Sequence, residues 1–403
     1  MLDTLGLGMV IPVMPQLIRE VGRVDEKHLI LVFGLLVTVW ALMQLLASPV
    51  QGALSDRFGR RPVILASNLG MGFNYLMMAV APTLGWLWVG RIISGICAGS
   101  IPAAFAYLAD VNPPEKRAAS FGLLGAALSF GFMMGPALGG LLGALGTRAP
   151  FWAAAALSLL NFLYGVFVLP ESLPRSRRAP LSLWRLNPVG ALYGLLKTYP
   201  ALGGFLGVSF LLTLAQMGPN NIFVLYTGHR FHWGPAQVGL LMTASGAAGM
   251  VVQAGLIPVV LKRVSERTAV LVGGALQILG VSIFALADTG AKFWIGVPVT
   301  AIATIGGPAW AAIMSRSVGP DEQGRLAGAS SSLTGLSQIL GPALFTTSYF
   351  AAVDGKLPLP IGTPFLMGAA FMMMAMALAA WVTSRQRART VLAPAEPFRP
   401  MGD

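Results

Sequence analysis

Apolar windows of about 20 residues recur along the whole chain, and each is long enough to cross the hydrocarbon core of a membrane, which is about 30 Å thick. Because lipid cannot satisfy backbone hydrogen bonds, a helix is the structure to expect for each window. Only 10% of the 403 residues are charged, whereas 55% are hydrophobic. These features exclude a soluble globular protein and predict an all-α integral membrane protein.

Twelve apolar segments have the length expected of membrane-spanning helices. Prolines inside them, such as Pro12, Pro136 and Pro342, are tolerated because neighbouring helices satisfy the freed backbone groups. The predicted spans cover about residues 4–20, 29–50, 62–81, 86–109, 119–143, 151–170, 199–226, 236–261, 268–287, 293–315, 326–350 and 362–383.

A polar connection rich in Arg and Pro follows the sixth span and divides the chain. It predicts an amino-terminal bundle at 1–170, a linker at 171–198, a carboxy-terminal bundle at 199–383 and a basic tail at 384–403. We expect both the linker and the tail to be cytoplasmic.

The two halves also repeat at a constant offset of 206 positions. Because every match occupies the same place relative to a span, the repeats indicate a duplicated six-helix unit. Two pseudo-symmetric bundles facing each other across a central cavity are therefore predicted. The matches are Gly135-Pro136-Ala137-Leu138 with Gly341-Pro342-Ala343-Leu344, Pro114-Glu115 with Pro320-Asp321, and Gly122 with Gly328.

The formal net charge of +12 reflects short basic clusters between apolar segments, which do not form the continuous basic face of a nucleic-acid-binding protein. Most of the 27 Lys and Arg residues fall on one side if both termini are cytoplasmic, as the positive-inside rule requires. We therefore expect a multi-pass protein of the cell (inner) membrane with both termini in the cytoplasm. The single cysteine, Cys97, excludes an intramolecular disulfide and a cysteine-based metal site.

The first span is short, because the rise from Asp3 to Glu20 is only about 26 Å at 1.5 Å per residue. Two interpretations remain open. Either an apolar stretch precedes Met1, or the helix is short and Asp3 lies near the cytoplasmic mouth of the cavity. A signal peptide is disfavoured because no basic region or small-residue cleavage site is present.

The loop predicted after the second span carries one acid among several arginines. Gly52 and Gly59 allow a tight turn and close helix approach, while Asp56 can form a charge-assisted contact that latches the cytoplasmic side. A solvated basic loop is the alternative. The candidate latch residues are Gly52, Asp56, Arg57, Gly59 and Arg60.

Two ionisable residues, Arg91 within the fourth span and Asp3 at the start of the first, are candidates for a functional role. Arg91 costs about 3 kcal/mol in lipid unless it is paired or hydrated, which indicates a functional role, although snorkelling from the helix end is the alternative. Asp3 is the only carboxylate away from loops, tails and span ends. We predict that Asp3 carries the coupling proton and that Arg91 tunes it, with Asp110 as the second candidate. The alternative role for Asp3 is to complement the helix dipole.

The fifth span contains a run of glycines around a proline. Because glycine has no side chain, another helix backbone can pack closely against this face, and the proline kinks the helix. The residues are Gly131, Gly135, Pro136, Gly139 and Gly140.

The latch loop, Arg91 in its Gly-Arg-x-x-x-Gly setting, and the Gly-Pro run resemble the three signatures of the major facilitator superfamily drug/H+ antiporters, in the same order. The chain is still more similar to the tetracycline/H+ antiporter group. That similarity is carried by Asp3-Thr4-Leu5-Gly6-Leu7-Gly8-Met9-Val10-Ile11-Pro12-Val13-Met14-Pro15, by Ala41-Leu42-Met43-Gln44, by Arg230-Phe231-His232-Trp233, and by Gly341-Pro342-Ala343-Leu344-Phe345-Thr346.

The chain departs from that group at three titratable positions. Asn74 and Gln277 stand where the group typically has aspartates, and Gly249 stands where it often has a histidine, although Gln253 is kept. Two of the three positions thus keep a polar side chain, but none keeps a titratable one. This argues against the magnesium chelate of tetracycline as substrate.

Polar or aromatic side chains within the spans are candidates for substrate contact, because polar groups facing lipid are costly. Hydrogen bonding between helices is the alternative for each. The candidates are Gln44, Asn74, Gln253, Gln277, Trp310 and Gln338.

We therefore predict proton-coupled efflux of multidrug or tetracycline-like, amphipathic small molecules by alternating access, with cationic and zwitterionic molecules included. The alternatives are a carrier for an endogenous metabolite and a non-coupled channel. An enzyme is disfavoured because no span contains clustered His, Cys, Asp or Glu. The expected partners are the substrate, protons and membrane lipid, with no cofactor, metal or nucleic acid, and the protein is expected to act as a monomer.

Overall fold

The computed structural model describes residues 1–178, 202–317, 323–356 and 358–392. All regular structure within these ranges is helical. Nine helical stretches in this part of the chain are long and apolar enough to cross a membrane. The prediction of an all-α membrane protein is confirmed.

The amino-terminal helices occupy the ranges of the first six predicted spans. Short connections join each helix to the next, so consecutive helices run in opposite directions. They are α1 (Leu2–Val10, Ile11–Val13 and Met14–Gly22), α2 (Glu26–Phe58), α3 (Arg60–Ala79), α4 (Leu84–Cys97 and Ser100–Val111), α5 (Pro114–Leu145) and α6 (Ala149–Val168).

The carboxy-terminal helices occupy the ranges of the other six predicted spans. They are α7 (Leu202–Phe231), α8 (Pro235–Val251, Val252–Leu256 and Ile257–Arg263), α9 (Glu266–Leu286), α10 (Gly290–Ala303 and Gly306–Ser315), α11 (Gln323–Asp354) and α12 (Thr363–Leu392).

Two helices end at least eight residues beyond their predicted spans. The second span and its loop form one helix to Phe58, and the only break before α3 is Gly59 with a φ of 109°. Such a φ favours glycine, which explains why the chain turns at this residue. The last helix continues to Leu392, into the predicted tail. The predicted linker beyond residue 178, the repeat match at Pro320-Asp321 and the tail beyond residue 392 lie outside the described residues.

Two helices change geometry where proline removes a backbone donor. Pro12 lies in a short 3-10 turn of α1, at Ile11–Val13. The π-helical turn Val252–Leu256 interrupts α8 and leads directly into the segment that begins Ile257-Pro258. A proline in a helix cannot donate to the preceding turn, so the local hydrogen bonds rearrange.

The two sets of helices meet along two seams. In the amino-terminal set α1 packs on α5 and α6, and in the carboxy-terminal set α7 packs on α11 and α12. Between the sets, α5 packs on α8 and α2 packs on α11. These four helices frame the space between the two sets.

The alternation of the helices defines two faces of the molecule. The terminal face carries Met1, Gly59 and Glu171, and the opposite face carries the turns at Arg23 and Gly146. Both names refer to the molecule itself and do not assign a side of the membrane.

Candidate functional site

A cavity of about 890 Å³ lies between the two sets of helices. Its amino-terminal wall is mostly apolar and comes from α1 and α5. The residues of this wall are Thr4, Ile11, Leu128, Ser129, Phe132, Met133 and Pro136.

The carboxy-terminal wall of the cavity carries four carboxamides. Gln216 and Asn220 lie on α7, four positions apart and hence on one face of that helix. Gln253 lies in the π-helical turn of α8, and Gln277 lies on α9. Phenylalanine and methionine side chains surround them, so this wall combines hydrogen-bonding groups with apolar surface.

The structure places two of the six predicted substrate-contact residues in the cavity lining and the other four elsewhere. Gln253 and Gln277 line the cavity. Asn74 is 1% exposed and packs on α4, where its Oδ1 lies 2.8 Å from a Cβ added at Gly90. The side chain of Asn74 therefore lies within the amino-terminal set of helices in this conformation.

The other three candidates also lie away from the cavity lining. Gln44 belongs to the part of α2 that packs on Gly95 of α4. Trp310 is buried, donates a hydrogen bond from Nε1 to the Ser209 Oγ at 2.8 Å, and stacks on Phe205. Gln338 lies on α11 and is partly buried.

Asp3 is partly buried beside the cavity. Its Oδ1 accepts a hydrogen bond of 3.0 Å from the Asn161 Nδ2 of α6, and Ser100 of α4 lies close to its carboxylate. The next residue, Thr4, lines the cavity. The carboxylate thus lies directly behind the cavity wall, bound to helices of its own set.

Tyr75 lies within electrostatic range of both Asp3 and Arg91. Its side chain is 2% exposed, and its Oη lies 3.7 Å from a Cβ added at Gly6, one helical turn from Asp3. Neither the Tyr75 Oη nor the Arg91 Nε has a hydrogen-bond partner among the described residues. Among the described residues Asp3 and Arg91 form no ion pair, and Tyr75 is the side chain within electrostatic range of both.

Tyr75, Asn161, Gln216 and Asn220 were missed as site residues by the sequence analysis. Asn161 and the two α7 amides are polar residues within spans, so the criterion that selected the other candidates applies to them as well. Tyr75 follows Asn74 directly, but sequence gives no sign that its ring reaches towards α1. Its position depends on how α3 packs against α1.

The Gly-Pro run of α5 packs against two helices at once. A Cβ added at Gly135 would lie 2.7 Å from the Gly8 Cα, and one added at Gly139 would overlap the Met9 carbonyl oxygen. Gly131 meets the same helix, α1, whereas a Cβ at Gly140 would lie 2.5 Å from the Pro235 carbonyl oxygen of α8. The run therefore brings backbones together both within the amino-terminal set and across the seam between the two sets.

The latch residues form an ion-pair network at the terminal face. The Arg60 side chain donates from Nη1 to the Asp56 Oδ1 at 2.5 Å and from Nε to the Asp110 Oδ2 at 3.0 Å. The Arg60 backbone amide, at the start of α3, donates to the Glu171 Oε1 at 2.9 Å. Asp110, the second proton-carrier candidate, is thus paired with Arg60.

The other latch residues are less constrained. Arg57 lies over the Phe58 ring at 5.4 Å, and a Cβ added at Gly52 would meet nothing within 4 Å. The described latch contacts all stay within the amino-terminal set of helices.

One ion pair and one histidine–carboxylate contact join the two sets of helices at the opposite face. The Lys27 Nζ of α2 lies 2.7 Å from the Asp354 Oδ1 of α11, and the His229 Nδ1 of α7 lies 3.6 Å from the Glu26 Oε1. In the described residues, ion pairs at the terminal face stay within one set. The cavity is therefore closed towards the opposite face.

The Lys27 and Lys356 ammonium groups hold the pKa of Asp354, which lies beyond the predicted span, below its ordinary value. The contact is present above the ordinary aspartate pKa and is lost as the pH falls through the lowered value. We expect Asp354→Asn to open the opposite face more often, because the contact across the seam loses its charge. In a Cys97→Ser background, the thiol introduced into the cavity by Phe223→Cys should then react faster with an impermeant maleimide that is added from the opposite face.

The matched control for this prediction is Asp288→Asn, which removes an exposed carboxylate paired with Lys292 of the same set of helices. Equal labelling rates for Asp354→Asn and the control would contradict a closing role for the contact.

The family model of the Major Facilitator Superfamily matches residues 1–342. The chain belongs to the major facilitator superfamily. It is 38% identical over 358 residues to the class C tetracycline resistance protein of Escherichia coli, covering 88% of each chain. It is 28% identical to multidrug resistance protein 2 of Bacillus subtilis, covering 84% of each chain.

Two solved transporter structures share this fold. The nucleoside transporter NupG superposes with a TM-score of 0.76 at 15% identity, covering 95% of this chain and 96% of its own. The human organic anion transporter MFSD10 (TETRAN) gives a TM-score of 0.70 at 22% identity, covering 94% and 96%. Membership of the superfamily and the transporter fold are both consistent with the cavity between two sets of helices.

Proposed function

We propose that the protein exports amphipathic small molecules in exchange for protons by alternating access. The observation that carries the proposal is the cavity itself, closed towards one face and backed by the Asp3 carboxylate behind Thr4. A cavity at the interface of two helix sets is where superfamily carriers bind their substrates. The sequence similarity to tetracycline and multidrug resistance proteins supports drug-like substrates.

In this proposal Asp3 carries the proton. A carboxylate in a desolvated site can bind and release a proton as its surroundings change between the two access states. Asn161 stabilises the ionised form by donating to Oδ1, and Tyr75 lies within electrostatic range of both this carboxylate and Arg91. Proton binding to Asp3 would then bias the packing of α1 on α5 and α6.

The moving parts are the bundles 1–170 and 199–383, which rock about the seams formed by α5 with α8 and α2 with α11. The positive-inside rule assigns the terminal face to the cytoplasm, with both termini on that side of the inner membrane. The described conformation is then open towards the cytoplasm.

Transport into inverted membrane vesicles tests the proposal. We expect an acidic interior to drive the accumulation of at least one of three probes, which are tetracycline, the cation ethidium and the uncharged chloramphenicol. Dissipating the pH gradient should release the accumulated probe. Accumulation that is independent of the proton gradient would favour a channel or an uncoupled carrier.

The latch network gives a further prediction. Asp56→Asn removes one of the two carboxylates paired with the Arg60 guanidinium in the described residues, and we expect transport to fall several-fold because Asp110 then provides the remaining charged contact. Because the Asp56 side chain is about half exposed, insertion and stability should change little. Vesicle transport normalised to the amount of inserted protein measures the effect. An Asp56→Asn protein with full transport would show that the network is not part of the cycle.

A further inference from the structure

We infer that the protein selects uncharged amphipathic substrates and that its proton exchange is therefore electrogenic. This inference rests on the proposed function and concerns the chemistry of the same cavity. It follows from the groups that line the two walls and from the position of Asp3.

The lining residues that the structure describes are all uncharged. On the carboxy-terminal wall the polar groups are carboxamides and hydroxyls, which include Gln253, Gln277 and Thr304. A carboxamide both donates and accepts hydrogen bonds, so it matches the amide, hydroxyl and carbonyl groups of an uncharged molecule. A cation in the same position would lose hydration without gaining an opposite charge from the lining.

The facing wall favours an apolar surface on the substrate. Phe132 and Met133 of α5 lie across from the amides, and their side chains offer dispersion contacts without hydrogen-bonding groups. A molecule with one apolar face and one hydrogen-bonding edge satisfies both walls. The cavity volume of about 890 Å³ lies within the range of drug-sized binding sites.

The position of Asp3 allows it to bind a proton without placing a charge in the cavity lining. Its carboxylate binds Asn161 behind the wall, so it does not supply a counter-charge within the lining. One proton bound by this carboxylate moves inwards in each cycle while an uncharged molecule moves outwards. Each cycle then carries one net positive charge into the cell, and the membrane potential drives export.

Inverted vesicles with equal pH on both sides test the inference. An interior-positive potential, imposed with valinomycin and external K+, should drive chloramphenicol uptake in the wild type by about tenfold for each 60 mV. The same potential should produce no accumulation of ethidium, and an acidic interior should accumulate chloramphenicol in preference to ethidium.

Charge added to the lining should reverse this preference. Gln277→Glu is expected to lower chloramphenicol transport about tenfold and to create ethidium transport, since a buried charge pair forms only with the cation. Gln277→Met should lower chloramphenicol transport without creating ethidium transport. Gln253→Glu is a second variant that tests the same wall if the first is not inserted.

The matched control is Gln237→Glu, a change of the same type at an exposed position on α8 outside the cavity. It should leave the preference between the probes unchanged. The inference would be overturned if the wild-type protein preferred ethidium, or if its chloramphenicol uptake did not depend on the membrane potential. Either result would leave proton-coupled export intact. Failure to accumulate tetracycline, ethidium and chloramphenicol under any gradient would contradict both the proposed function and this inference.

Discussion

Asp3→Asn is expected to abolish uphill, pH-driven export while substrate exchange across the membrane continues. Asparagine keeps a polar side chain beside Asn161, so the packing of α1 on α6 should survive. It cannot bind a proton, and the described cavity lining contains no carboxylate that could take over. We expect accumulation to fall at least about tenfold, because net transport requires the proton to be released at each turnover.

Two measurements on inverted vesicles separate coupling from binding. Accumulation under a pH gradient should disappear in Asp3→Asn, whereas exchange of labelled for unlabelled substrate at equal pH should remain. Asp3→Glu retains a titratable group and should restore part of the accumulation, and Asp288→Asn controls for the loss of an exposed acid. Wild-type accumulation by Asp3→Asn would show that the proton is carried elsewhere, with Asp110 as the first position to test.

Gly135→Val is expected to have the second large effect. The added Cβ would lie 2.7 Å from both the Gly8 Cα and the Leu5 carbonyl oxygen, and these are backbone atoms that cannot rotate away. Overpacking of this kind costs about 1–3 kcal/mol and forces the backbones apart. Because α5 also packs on α8 across the seam, separation of α1 from α5 should slow the rocking of the bundles as well as destabilise the amino-terminal set.

Gly125→Val on the same helix is the matched control, since a Cβ at Gly125 would meet nothing within 4 Å. Both variants add the same side chain to α5, so a difference in thermal stability in detergent or in vesicle transport reports the α1 contact. We expect a clear loss of both for Gly135→Val and near-normal values for Gly125→Val. Similar behaviour of the two would contradict the close-packing role of the run.

The helices and their order could be predicted from sequence because the requirement to satisfy the backbone in lipid is local. Each apolar segment therefore contains a helix where it was expected. The ends were less predictable: the second helix continues through the charged stretch to Phe58, since only Gly59 has the φ that ends it. Charged residues can continue a helix into water, so polarity alone does not mark its last residue.

Only part of the candidate site could be predicted from sequence, because the cost of placing a polar group in lipid and the direction in which that group faces have different physical origins. Sequence alone determined which polar groups lie within the membrane, because insertion into lipid penalises them wherever they occur. It thereby selected Asp3, Arg91, Gln253 and Gln277. Which of these groups face the cavity depends on the rotation of each helix about its axis, and that rotation is set by packing against neighbours such as α5 on α1.

Only the tertiary structure therefore decided that Gln253 and Gln277 line the cavity while Asn74 packs on α4. It also decided that Tyr75 lies beside Asp3 and that Lys27 meets Asp354 across the seam. These contacts join residues as far apart in the chain as 327 positions. Hydropathy acts on each segment separately, whereas such contacts arise only when all the helices have packed together.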